Sequence, residues 1–280
     1  MKTLKLLFMF LFLAIMNSAM AQNPAWSLAP DYSSELINFG QVSPLPTSGG
    51  YNGQPPQAAS NMQLDAQGNI LFFVIDQTVY DKDGDLIGSL AGTISEPFSP
   101  YYCVWGFEGS ELAIIPDPTS CSKYYIVSYA LSQESCGEHL IGHGLVYATL
   151  DFSEQRPYST KMGKLSNVKF LNASGHTWKY GDNLGVLIAS STIRNTGAGD
   201  FRYLFVSNNF YDSSNGIVRF KIDNSGVNYD GFIPYSVQNS LNRGVRAEME
   251  LIDLPDGHFK IALPFLTNDS HNGSTLFSCI

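Results

Sequence analysis

Met62-Gln63-Leu64-Asp65, Ala66-Gln67-Gly68-Asn69, Ile70-Leu71-Phe72-Phe73-Val74: an apolar run, a tight polar turn and a second apolar run. The pattern returns at Leu112-Ala113-Ile114-Ile115, Pro116-Asp117-Pro118-Thr119-Ser120 and Tyr124-Tyr125-Ile126-Val127. It returns again at Met249 to Ile252, Leu254-Pro255-Asp256-Gly257 and Phe259-Lys260-Ile261-Ala262-Leu263. One hairpin unit repeated along a chain is the mark of a repeat architecture. The runs are short, rich in aromatic and branched residues, and bounded by Gly, Asn, Asp and Pro, so they read as strands. Helical periodicity is nearly absent, and the fold class is all-β.

Each unit continues into a third strand. In the first it is Thr78-Val79-Tyr80, closed by Asp81-Lys82-Asp83-Gly84-Asp85 before Leu86-Ile87. In the second it is Leu145 to Leu150. A third unit is expected to open near Leu165, with Val168 to Leu171, Gly185 to Ala189, Tyr203 to Val206 and Ile217 to Ile222 as its strands. Unit starts near Ser60, Ser110, Leu165 and Val245 sit close to the roughly 40–50-residue period of propeller blades, with a longer last interval. A propeller-like repeat of antiparallel three- to four-stranded blades, complete or incomplete, is therefore expected, with a β-sandwich as the alternative. A strand over Glu35 to Phe39 is the expected partner for the C-terminal strand, closing the ring.

Lys2 and Lys5, the apolar stretch Leu6 to Ile15 and the small residues of Ala19-Met20-Ala21 make residues 1–21 a signal peptide cleaved before Gln22. Residues 22–280 form a single domain. No cysteine stands near that point, so no lipid anchor is expected, and no later apolar run is long enough for a transmembrane helix. The net charge is −9, with 25 acidic against 16 basic residues, which argues against nucleic acid or anionic membrane as partner.

Four cysteines in an exported chain suggest disulfides. A seven-residue strand spans roughly 23 Å, which separates Cys121, at a hairpin turn, from Cys103 and Cys136 at the other end. Cys103–Cys136 is the favoured pair, with Cys121 and Cys279 free or paired with each other.

Asp81-Lys82-Asp83-Gly84-Asp85 invites a calcium reading, but an EF-hand loop beginning there needs Gly at 86 and Glu at 92, where Leu86 and Gly92 stand. A hairpin turn explains the same residues. His139 and His143 are four apart, yet the glycines around them argue for a loop rather than a metal-binding helix. There is no Gly-x-Ser-x-Gly elbow and no phosphate loop. Glu248 and Glu250 alternate along a strand as solvated acids do. No catalytic residue, metal or cofactor is expected. Tyr101, Tyr102 and Trp105 in one loop, and Trp178 in another, are the candidate ligand platform, since exposed rings stack on sugars or peptide side chains.

Leu36-Ile37-Asn38-Phe39-Gly40, Ala58 to Val74, Val79 to Gly84 and Leu112 to Val127 together resemble a recurring N-terminal region of secreted Bacteroidetes surface proteins of type IX-type export families. The resemblance is best over residues 36–150. It implies a WD40/YVTN-like β-propeller on the cell surface. Nothing after Val245 looks like an appended sorting domain, which favours release or periplasmic residence. The expected function is a secreted, non-catalytic binding or structural protein of the bacterial envelope or exterior, with a glycan or protein ligand at exposed loops. The alternative is a secreted propeller hydrolase acting on polysaccharide or peptide.

Overall fold

The computed structural model describes residues 25–26, 35–38, 41–44, 51, 60–90, 92–94, 102–106, 112–134, 140–166, 168–171, 187–209, 215–234, 249–254, 258–266 and 275–279. Residues 1–21, the expected signal peptide, lie outside these. Every regular element among them is a strand, and all pairing is antiparallel between chain neighbours or near-neighbours. Among the described residues no helix is long and apolar enough to cross a membrane.

An N-terminal sheet holds β1 (Ala25–Trp26), β2 (Glu35–Asn38) and β3 (Gln41–Pro44). Here one expectation is corrected. The strand at 35–38 is the middle of this sheet, paired on both edges, so it has no edge left to complete the last blade.

The first sheet of the stack is a plain meander: β4 (Ser60–Leu64), β5 (Ile70–Ile75), β6 (Thr78–Asp81) and β7 (Leu86–Ser89). The second is larger. Its strands are β8 (Gly92–Ile94), β9 (Tyr102–Gly106), β10 (Leu112–Pro116), β11 (Lys123–Glu134), β12 (Leu140–Gln155), β13 (Met162–Leu165) and β14 (Lys169–Phe170). One edge of β11 is shared, with β10 along residues 124–128 and β9 along 130–134. The far edge of β12 is shared in the same way by β13 and β14. The segment around Leu165 therefore finishes the second sheet rather than opening a third, a second correction.

The third sheet contains β15 (Leu187–Ser190), β16 (Arg194–Asn195), β17 (Asp200–Asn209), β18 (Asn215–Asp223) and β19 (Gly226–Pro234). The fourth contains β20 (Glu250–Asp253), β21 (Phe259–Leu266) and β22 (Thr275–Cys279).

Strand alternation sends neighbouring side chains to opposite faces, and here both faces are covered. Phe72 and Val74 pack with Leu112, Ile126, Ala148 and Leu150 between the first and second sheets. From the second sheet's other face, Ile115, Tyr125, Val127 and Leu145 meet Leu204, Val206, Val218 and Phe220 of the third. From the third sheet's other face, Leu187, Phe205 and Ile217 meet Met249 and Ile261 of the fourth. Burial on both sides explains why the strands read as unbroken apolar runs such as Ile70 to Ile75. Each fully buried Phe, Leu or Ile contributes about 1.5–3 kcal/mol.

One strand from each of these four sheets, β4, β10, β15 and β20, lies beside the next in that order, as the innermost strands of propeller blades do. Among the described residues no apolar cluster joins the fourth sheet to the first. The described residues thus form an all-β arrangement of five antiparallel sheets, four of them in a propeller-like stack that is open at its ends over the described residues.

Candidate functional site

The acidic run of β6–β7 is a turn held by its own first residue. Asp81 Oδ1 accepts the backbone N–H groups of Asp83 and Asp85, both at 2.9 Å, and Gly84 takes the left-handed conformation at φ 85° that glycine tolerates best. Asp81 Oδ2 points the other way, across the seam to the second sheet. It accepts from Arg156 Nη2 at 2.7 Å and Lys161 Nζ at 3.2 Å. Lys161 also reaches Asp83 Oδ2 at 3.3 Å and touches Asp85. The ammonium stands where a calcium ion would have to stand. Burial works to raise the Asp81 carboxyl, but Arg156, the Asp85 N–H and Lys161 outweigh it and hold it below the ordinary carboxylate range. The contacts with Asp85, then Asp81 and Asp83, push the Lys161 ammonium up. This cluster is a fastening between two sheets.

Of the expected ligand platform, Tyr101 and Trp178 lie outside the described residues. Tyr102 and Trp105 belong to β9, paired with Glu134 and Leu131, so they are strand residues and not loop residues. His143 is likewise in β12, opposite Leu131, and His139 lies outside. Cys103 pairs in the ladder with Gln133 and Thr93. Cys136 lies outside the described residues, and Cys121 is an exposed free thiol. Glu250 is exposed on β20, and Glu248 lies outside.

A cleft of about 350 Å³ opens instead at the seam of the third and fourth sheets. Phe201, Tyr203 and Phe205 alternate along β17 and so share one face. Phe259 of β21 packs edge-on against Tyr203 and Phe205, with centroids 5.5 and 5.0 Å apart. Two arginines lie on this aromatic floor. The Arg194 guanidinium is 3.8 Å from the Phe259 centroid, and the Arg219 guanidinium is 4.9 Å from that of Tyr203. Thr196, Ile233 and His258 complete the accessible wall.

Carboxylates orient the arginines. Arg194 Nη2 donates to Asp253 Oδ1 at 2.7 Å, while Asp253 Oδ2 accepts the Thr192 N–H at 2.8 Å. Burial would raise the Asp253 carboxyl, but Thr192 and Arg194 keep it low. Arg219 Nε donates to Asp230 Oδ2 at 2.6 Å. Arg202 alternates with the aromatic rings on β17, so it belongs to the opposite strand face, and it donates to the Ser191 carbonyl at 2.8 Å. Its burial lowers its pKa and the Asp253 charge opposes that. The two arginines that line the cleft are thus each held by a carboxylate. Stacked, oriented guanidinium groups suit the recognition of an oxyanion.

None of these residues forms a local motif. They come from β16, β17, β18, β19 and β21, and only the fold collects them. The one legible signal is the alternation Phe201-x-Tyr203-x-Phe205, an aromatic row on one strand face with Arg219 opposite Phe205 in register. The chain matches no protein-family model, no curated protein and no solved structure.

Proposed function

We propose that this chain is an exported, non-catalytic, propeller-like binding protein of the bacterial envelope or exterior, and that its ligand site is the cleft between the third and fourth sheets. The observation that carries this reading is the pair of arginines laid on an aromatic floor in a cleft of ligand size. Export rests on residues 1–21 and the bacterial setting on the resemblance over residues 36–150.

The hydrolase alternative requires two carboxylates facing one open space. Asp81, Asp83 and Asp85 face Lys161. Asp253 and Asp230 are bound to arginines. This favours binding over hydrolysis.

The test is a glycan and peptide array run beside turnover assays on polysaccharide and protein substrates, using the full chain. Saturable binding with no product is the expected result. Turnover that disappears on replacing a single Asp or Glu would overturn the reading in favour of the hydrolase. N-terminal sequencing of the protein from the culture medium or periplasm checks export, with Gln22 expected first.

A further inference from the structure

We infer that the cleft recognises a ring-sized molecule through a single carboxylate, and that Arg219 is the residue that binds it. This inference rests on the binding reading above and names the ligand class for that site.

Three observations lead to it. The first concerns the ring faces. A stacking platform for a neutral sugar needs exposed aromatic faces. Here Arg194 lies over Phe259 and Arg219 over Tyr203, so an incoming molecule meets guanidinium groups before it meets rings. The second concerns Arg219 itself. Asp230 takes its Nε, and among the described residues its two terminal nitrogens have no protein partner. Its side chain is one-third exposed and lines the cleft. Stacking on Tyr203 and pairing with Asp230 fix its plane, so the fork that remains is pre-organised for the two oxygens of a carboxylate. The third is charge. Asp253 holds Arg194 and Asp230 holds Arg219. A monoanion adds one negative charge beside these two carboxylates, whereas a phosphate dianion adds two and is repelled more strongly. The volume, about 350 Å³, is enough for a ring-sized acid.

A sugar acid and an aromatic acid share this chemistry. Sodium galacturonate and sodium benzoate are the probes, with galactose, benzamide and inorganic phosphate as controls, measured by calorimetry or by chemical-shift titration on the full chain. At least one carboxylate is expected to bind, and which one identifies the source. Its neutral analogue is expected to bind at least about tenfold more weakly, the loss that removing one charge-assisted hydrogen bond produces. Arg219→Gln is expected to lose the same factor with an unchanged unfolding midpoint. Asp230→Asn, which removes a competing carboxylate, is expected to bind tighter. That gain separates ligand recognition from a structural role.

Equal binding of galactose or benzamide would overturn the inference, as would unchanged affinity in Arg219→Gln or a preference for phosphate. If an array ligand binds but neither carboxylate does, the inference falls and the binding function stands. If nothing binds on the arrays either, both fall.

Discussion

Asp81 and Arg156 belong to different sheets, yet their charged ends meet at 2.7 Å with side chains only 7% and 6% exposed. Arg156 also donates to the carbonyl oxygens of Met162 and Leu86, so its guanidinium is nearly saturated. Removing one member of a buried pair strands the other charge, at a cost of about 3–5 kcal/mol. Because Lys161 still reaches Asp81 at 3.2 Å, Arg156→Ala is expected to lose the lower end of that range in urea unfolding, and the double variant Arg156→Met, Asp81→Leu to recover most of it. The pH dependence follows from the same carboxyl. Its folded-state pKa lies below the ordinary carboxylate value, so the folded state favours the ionised form. The resulting stability is present above the unfolded value and is lost as pH falls through the folded one. The unfolding midpoint should drop as pH is lowered below about 4, and Asp81→Asn should flatten that slope. Because Lys161 holds the cation position among Asp81, Asp83 and Asp85, millimolar calcium should leave the wild-type midpoint where it is. A calcium-induced rise of several degrees would mean that the ion displaces the lysine.

Between elements, the closest approach is at Gly216 in β18. A Cβ there would come within 2.1 Å of Phe232 Cζ and 2.7 Å of the Ile233 carbonyl oxygen. The ring is the end of a side chain, but the carbonyl belongs to the β19 ladder. Gly216→Ala should therefore cost about 1–3 kcal/mol by overpacking, read as a lowered midpoint. Hairpins of this kind were the most legible part of the sequence. The pairings of Met62 with Phe73 and Ile114 with Ile126 follow from turn chemistry and adjacent apolar runs, both local. Asp65, Asp117 and Asp223 each accept the N–H two residues on, which is why Asp recurs at the turns. Edges were not legible. The strands Met162–Leu165 and Lys169–Phe170 share an edge of β12, the first along residues 150–155 and the second along 146–147, and spacing alone suggests a new unit there. Tyr102 and Trp105 read as loop because their partner is the extension of β11 beyond the length its apolar run predicts. The cleft was hidden for a related reason: Arg194, Arg219 and Phe259 meet only after three separate hairpins have stacked.

At the scale of the whole molecule, the four stacked sheets pack, among the described residues, on their neighbours alone, so stability should behave as a sum over seams. Phe72 fills the first seam and Phe205 the third. Each change to Ala should cost about 3–5 kcal/mol, and the double variant should show the sum within about 0.5 kcal/mol. Hydrogen exchange offers a sharper check. Phe205→Ala should speed exchange in β20 and β21 while leaving β5 and β6 protected; uniform acceleration would mean that the stack unfolds as one unit. The first seam has a further property. Its two sheets touch through β4 and β10 at one edge and are fastened by Asp81, Arg156 and Lys161 near β7 and β13 at the other. A plate fixed along two opposite margins cannot swing about either. Tension transmitted through the chain must load both fastenings together, so these two sheets answer a pull as one body.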